Sequence, residues 1–259
     1  MLFGVHKDAA TLREILDPAT FASILAGDDA AVYSGFTRAQ KCWAHLLRKA
    51  VKLTLQDANN SEYRDFTDQL LQIYREACRV RDDRRLGDAG REDKVGELED
   101  RLGELCRARP GEPAVSPGGV ADDHRRLVNE LNRLLTADEL SAFVLAPPVE
   151  QTTGETRPVD GTNNEAERTL RNAALARRTG RTSKTPAGAR RQTILSSVRE
   201  SLRLCLPVFT LKTVLDELQR RQVAGRSCFD KLREKLEIVP PGHSVLDRLF
   251  PKPIPTPSG

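Results

Sequence analysis

The sequence predicts a mainly α-helical protein with a small α/β part. Long stretches repeat apolar residues at spacings of three and four, the signature of helices buried along one face. Only two short apolar runs, both close to the N-terminus, read as strands. Aromatic residues make up 5% of the 259 residues and charged residues 30%, so large helical faces must be solvated. A chain of this length can bury one substantial core, or one core with a smaller appended unit.

Taken in order, Leu2-Phe3-Gly4-Val5 reads as a strand, and Asp8 caps a short helix over Ala9–Leu16 that Pro18 closes. Ser23-Ile24-Leu25-Ala26-Gly27 reads as a second strand ending at Asp28-Asp29, so the opening resembles a βαβ unit. Residues 37–56 read as a helix burying Trp43, Leu46, Leu47, Ala50 and Leu53. Asn60 or Ser61 opens the next, with Tyr63, Phe66, Leu70, Ile73, Tyr74 and Ala77 on one stripe. Val95, Leu98, Leu102 and Leu105 continue the pattern beyond the charged bend 81–94, which predicts an antiparallel helix hairpin. The alternative is one long helix over 61–107.

Residues 109–119 are rich in Pro and Gly and read as a loop. Leu127, Leu131, Leu134 and Leu135 mark a further helix, and 146–162 form an irregular connection. Helices resume at Asn164, near Ala189–Leu204 and at Leu211–Arg220; from Pro240 the proline-rich tail reads as disordered.

The net charge of +4 is modest, but its distribution is not. From Arg168 to Arg199 there is no acid, while Arg168, Arg171, Arg177, Arg178, Arg181, Lys184, Arg190, Arg191 and Arg199 fall within the run. Local charge of one sign suits a polyanion, and the interspersed Gly, Ser and Thr suit phosphate contacts. Five scattered cysteines without a Cys-x-x-Cys pair support neither a disulfide framework nor a zinc ribbon and read as reduced thiols. The absence of a signal-like or bilayer-length apolar run predicts a soluble, cytoplasmic protein with no membrane partner.

Two acids stand out. Glu167 opens the basic run; with Asn164 three residues before it, it also fits a helix capping box. Asp28, or its neighbour Asp29, ends an apolar run where a carboxylate can face a divalent cation or simply terminate a strand. In Cys42-Trp43-Ala44-His45, Trp43 and Cys42 read as core. His45 is either packed or, with Arg48 and Lys49, part of a polar edge facing DNA.

Together and in order, several motifs resemble the C-terminal part of the insertion sequence 66 family of bacterial transposases, across residues 20–220. They are Asp28 with Tyr33, Cys42-Trp43-Ala44-His45-Leu46-Leu47-Arg48, Asn163-Asn164-Glu165-Ala166-Glu167-Arg168-Thr169-Leu170-Arg171, Gly180–Thr185, Gly188–Arg191 and Ser197–Leu202. The resemblance implies a ribonuclease-H-like core with an α-helical insertion between its second and third catalytic acids. Asp28 would be the second acid and Glu167 the third, both catalytic and both ligands of Mg2+ (or Mn2+). Arg168, Arg171, Arg177, Arg178, Arg181, Lys184, Arg190 and Arg191 would bind DNA.

It also implies the domain limits: 1–56 as part of the core, 57–145 as the insertion, 146–235 as the rest of the core, and 236–259 as a tail. The family's first Asp is expected on a strand ahead of residue 1. The expected function is therefore transposition by metal-dependent DNA strand cleavage and transfer, inactive in this chain alone. The expected partners are transposon-end DNA and full-length transposase or other subunits. A non-catalytic regulator of transposition, or a pseudogene remnant, is the alternative.

Overall fold

The computed structural model describes residues 8–13, 16–19, 21, 23–28, 30–33, 35–107, 117–150, 155–179, 185–226, 228 and 230. The protein is mainly helical with a small two-stranded parallel sheet. It divides into two compact units: Pro18–Val149 with Thr156–Arg171, and Met1–Asp17 with Glu150–Glu155 and Asn172–Gly259.

In the second of these units, Asp8 caps helix α1 (Ala9–Arg13) as expected, its Oδ1 accepting from the Thr11 amide at 2.7 Å. The strand expected at Leu2–Val5 lies outside the described residues, as does the proline-rich tail.

In the first unit, strand β1 (Leu25–Gly27) pairs in parallel with β2 (Ala39–Lys41), in the register Leu25 to Ala39 and Gly27 to Lys41. The connection holds a 3-10 turn at Ala31–Tyr33. Strand β2 corrects the helix expected from residue 37, because helix α2 starts only at Trp43 and runs to Gln56. Tertiary hydrogen bonds override the local pattern here. Gln40 is fully buried; its amide nitrogen donates to the carbonyls of Lys41 and Leu140, and its Oε1 accepts from the Phe143 amide at 2.9 Å. The Lys41 amide donates to Glu139 O at 2.7 Å. A helix over these residues would strand those buried groups.

Helices α3 (Ser61–Asp82) and α4 (Asp88–Leu105) form the expected hairpin and not one long helix. Asn60 caps α3 through the Glu62 amide, and Arg85 and Asp83 bond each other in the bend between the helices. Helix α5 (Val120–Thr136) and the short α6 (Ala142–Leu145) complete a bundle with α2. Its core unites Trp43, Leu46 and Leu53 with Phe66, Leu70, Leu98, Leu102, Leu127, Leu131, Leu134 and Phe143. The Trp43 indole donates to Leu140 O at 2.9 Å and its ring lies 5.3 Å from Tyr74. All five cysteines are free, and burial pushes the Cys106 thiol up to about 12.

Two short strands, β3 (Val149–Glu150) and β4 (Thr156–Arg157), precede helix α7 (Asn164–Arg178). Helices α8 (Pro186–Cys205) and α9 (Leu211–Ala224) follow. Thr185 and Thr210 cap them through the amides of Gly188 and Thr213. Among the described residues, no helix is long and apolar enough to cross a membrane.

Candidate functional site

The start of α7 decides which way Glu167 points. The Glu167 amide donates to Asn163 O at 3.0 Å, so Asn163, not Asn164, holds the cap position and Asn164 is the first helical residue. Glu167 is then the fourth helical residue and lies outside capping-box register, which needs the acid at the third. The buried Asn163 Oδ1 has no hydrogen-bond partner among the described residues. The capping reading of Asn164 and Glu167 is thus corrected by a one-residue shift. The Glu167 side chain is free to face another helix.

That helix is α2. Its buried stripe, Trp43, Leu46, Ala50 and Leu53, enters the core, while His45 and Arg48 share a more exposed face three residues apart. His45 Nε2 lies 3.3 Å from Glu167 Oε1, and an Arg48 guanidinium nitrogen lies 3.5 Å from Oε2. His45 Nδ1 is buried without a hydrogen-bond partner among the described residues. The tautomer with its proton on Nε2, facing the carboxylate, therefore makes the better use of the ring. Lys49 does not join them: its ammonium sits 2.6 Å from Glu130 on α5.

Cys42 ties the three elements of the site together. Its amide donates to Gly27 O at 2.9 Å, at the end of β1, and its Sγ accepts from the Asn163 amide at 3.4 Å. The next amide, that of Trp43, donates to Gly161 O at 3.0 Å. Gly161 is needed for this approach, since a Cβ there would stand 3.1 Å from the Phe143 ring. The end of β1, the start of α2 and the start of α7 are thus fixed to one another through backbone and thiol contacts.

Arg48, Asn164, Glu167, Arg168 and Arg171 line one open polar pocket. Arg168 and Arg171 are exposed, three residues apart on α7, and make no ion pair among the described residues. Asp28 follows β1 directly and is half-buried; Asp29 lies outside the described residues. Arg178, exposed at the end of α7, and Arg190 and Arg191 on α8 belong to the other compact unit. Arg177 lies in α7, with its side chain outside the description, and Arg181 and Lys184 are outside the described residues altogether. The structure therefore gathers Glu167, Arg168 and Arg171 from the expected set and adds His45 and Arg48. The signal for these two was their three-residue spacing on the face of α2 away from Trp43 and Leu46.

The donor chemistry fits a hard divalent cation at two positions, the carboxylates of Asp28 and Glu167. Glu167 accepts no backbone hydrogen bond, and only His45 and Arg48 compete for its oxygens among the described residues. Among the described residues, no group of three or more His, Cys, Asp or Glu side chains gathers as a cation site. Asp28 is not among the residues that line the pocket with Glu167.

The model of the Transposase IS66 family matches residues 3–191, and the chain belongs to that family. The match takes in β1, the whole helical bundle, α7 and the start of α8. No curated protein matches the chain. No solved structure matches it.

Proposed function

We propose that this member of the transposase family acts on transposon-end DNA, with Asp28 and Glu167 as two of the three acids that cleave and transfer strands. The observation that carries the reading is the surrounding of Glu167: one exposed carboxylate shares a pocket with three guanidinium groups, Arg48, Arg168 and Arg171. A phosphodiester brought there meets cations that hold it and an acid of the type a divalent cation needs. Mg2+ or Mn2+, when bound, supplies Lewis-acid activation of a phosphodiester. The chain's own part is to present the two carboxylates and to seat the phosphates. His45 and Cys42 position this arrangement, the first against the Glu167 carboxylate and the second through the backbone.

In the family pattern a third acid, the first in sequence, precedes Asp28. Strand cleavage is assigned to an assembly in which that acid stands with Asp28 and Glu167, with full-length transposase or another subunit as partner. Arg177, Arg178, Arg181, Lys184, Arg190 and Arg191 extend the DNA contact beyond the pocket. Work on DNA places the protein in the cytoplasm, at the nucleoid.

The test is nicking of supercoiled DNA in Mg2+, by the chain mixed with a family member that carries the first acid but lacks its own third acid. Complementation that Glu167→Gln abolishes supports the reading. Salt-sensitive DNA binding without nicking, unchanged by Glu167→Gln, would replace it with a non-catalytic regulator.

A further inference from the structure

We infer that the pocket lined by Arg48, Asn164, Glu167, Arg168 and Arg171 holds a terminal phosphomonoester of DNA in preference to the phosphodiesters of an unbroken strand. The inference rests on the proposed reading of this pocket as a seat for DNA phosphate.

The charges of the lining are not equally available. Arg48 is already engaged: its guanidinium lies 3.5 Å from Glu167 Oε2, and the two charges offset each other. His45 Nε2, 3.3 Å from Oε1, steadies the carboxylate from its other side. Arg168 and Arg171, one turn apart on α7, are exposed and make no ion pair among the described residues. They leave the pocket with two unopposed positive charges. A phosphodiester carries a single negative charge, whereas a phosphomonoester carries about 1.5 to 2 near pH 7 and offers three strong acceptor oxygens. The monoester therefore matches both guanidinium groups at once, and each of them can donate a pair of parallel hydrogen bonds. Its remaining acceptor positions suit the amide of Asn164, which belongs to the same lining.

Glu167 sharpens the choice by repulsion. An unbroken strand carries a further phosphate on each side of the one that is seated, closely spaced along the backbone. Threading such a strand through the pocket brings one of those neighbours toward the Glu167 carboxylate, which is 42% exposed. A terminal phosphate has a neighbour on one side only, so the rest of its strand can leave the pocket away from Glu167. Attraction to Arg168 and Arg171 and repulsion from Glu167 thus select the same ligand. Cleavage creates such an end. When water hydrolyses a phosphodiester, its oxygen stays on phosphorus, one P–O bond breaks and a proton passes to the departing oxygen. One fragment keeps a hydroxyl and the other a phosphomonoester, and the pocket retains the second.

The experiment uses a DNA hairpin with one open end and a fluorophore in its loop, prepared with hydroxyls at both termini, with a 5′-phosphate or with a 3′-phosphate. Binding to the full chain is measured by anisotropy with EDTA present, at constant ionic strength and about pH 7.5, where the monoester carries close to its full charge. At least one phosphorylated form is expected to bind about fivefold more tightly than the hydroxyl form, the upper range for one added exposed ion pair. Arg168→Gln and Arg171→Gln should each cut that preference to less than about twofold. Arg171→Lys, which keeps the charge but not the fork, should retain part of it. Glu167→Gln should bind the hydroxyl form more tightly and so narrow the preference. Arg64→Gln, which removes an exposed charge on α3 outside the pocket lining, should keep the preference in full.

Equal affinity for the three forms overturns the inference, as does a preference that survives both Arg168→Gln and Arg171→Gln. A preference lost equally in Arg64→Gln reduces it to overall charge and overturns the site. If the forms bind equally and the two pocket variants weaken all of them alike, the pocket still seats backbone phosphate and the proposed function stands. If those variants change no affinity, that reading of the pocket falls as well. Equal thermal unfolding midpoints for all variants establish that folding is not the cause.

Discussion

The helical bundle and the first two turns of α7 treat their charges in opposite ways. Across the bundle, many cations are matched: Arg81 with Asp82, Arg85 with Asp83, Lys49 with Glu130, Lys52 with Asp123, and Arg125 and Arg126 with the buried Asp122. On α7, Arg168 and Arg171 stand exposed without an acid partner among the described residues, and Glu167, though one turn from Arg171, turns to α2 instead. A matched charge serves the fold. An unmatched cluster on a rigid helix creates a field for an anion that comes from outside.

This contrast makes three predictions, the largest first. Phe143→Ala should strike the bundle and the site together. Its ring is fully buried, touches Gly161 and lies 5.8 Å under the Arg81 guanidinium. Denaturant unfolding should show a loss of about 3–5 kcal/mol, the usual cost of removing a buried aromatic ring. DNA affinity should fall too, since Gly161 holds the start of α2 beside α7. Unchanged affinity under folding conditions would separate the two regions.

The second prediction concerns acid. Arg85 holds the Asp83 carboxyl down to about 2, and Arg81, Arg125 and Arg101 hold Asp82, Asp122 and Glu76 below their usual range. Each is lower when folded than unfolded, so its contribution is present at neutral pH and disappears as pH falls through the folded value. Helicity followed by circular dichroism should therefore become progressively easier to melt from about pH 4, where free carboxylates protonate, downward. A melting midpoint constant between pH 4 and pH 2 would show that the bundle pairs contribute nothing.

The smallest stability effect belongs to Arg168→Gln. Removing an unpaired surface charge should move unfolding by less than about 0.5 kcal/mol. The salt dependence of DNA binding should nonetheless lose about 0.9 from its slope, one phosphate contact. A large loss of stability with no change in slope would make Arg168 part of the fold.

Much of this was legible beforehand because it is local. The stripes of α3 and α5 repeat in the sequence at helical spacing, and the residues that compose them are the buried ones, from Tyr63 to Ala77 and from Leu127 to Leu134. Asp8 and Asn60 sit beside the amides they cap. The acid-free run from Arg168 is likewise a property of neighbours in sequence.

The misreadings all involve distant partners. Strand β2 was hidden because Gln40 and Lys41 bond to residues about a hundred positions away, at Glu139, Leu140 and Phe143. The helix resumes at Asn164 as expected, but its cap position falls on Asn163, which Cys42, at the start of another helix, contacts through its thiol.

By itself, then, the sequence determined the helical class, the faces that become core, the basic run and the family to which the chain belongs, since periodicity and motif order are written along the chain. Only the tertiary structure decided that Glu167 leaves the capping role and meets His45 and Arg48. A carboxylate at the start of a helix satisfies local amides unless another element offers it cations. Whether one does depends on contacts that no local spacing encodes.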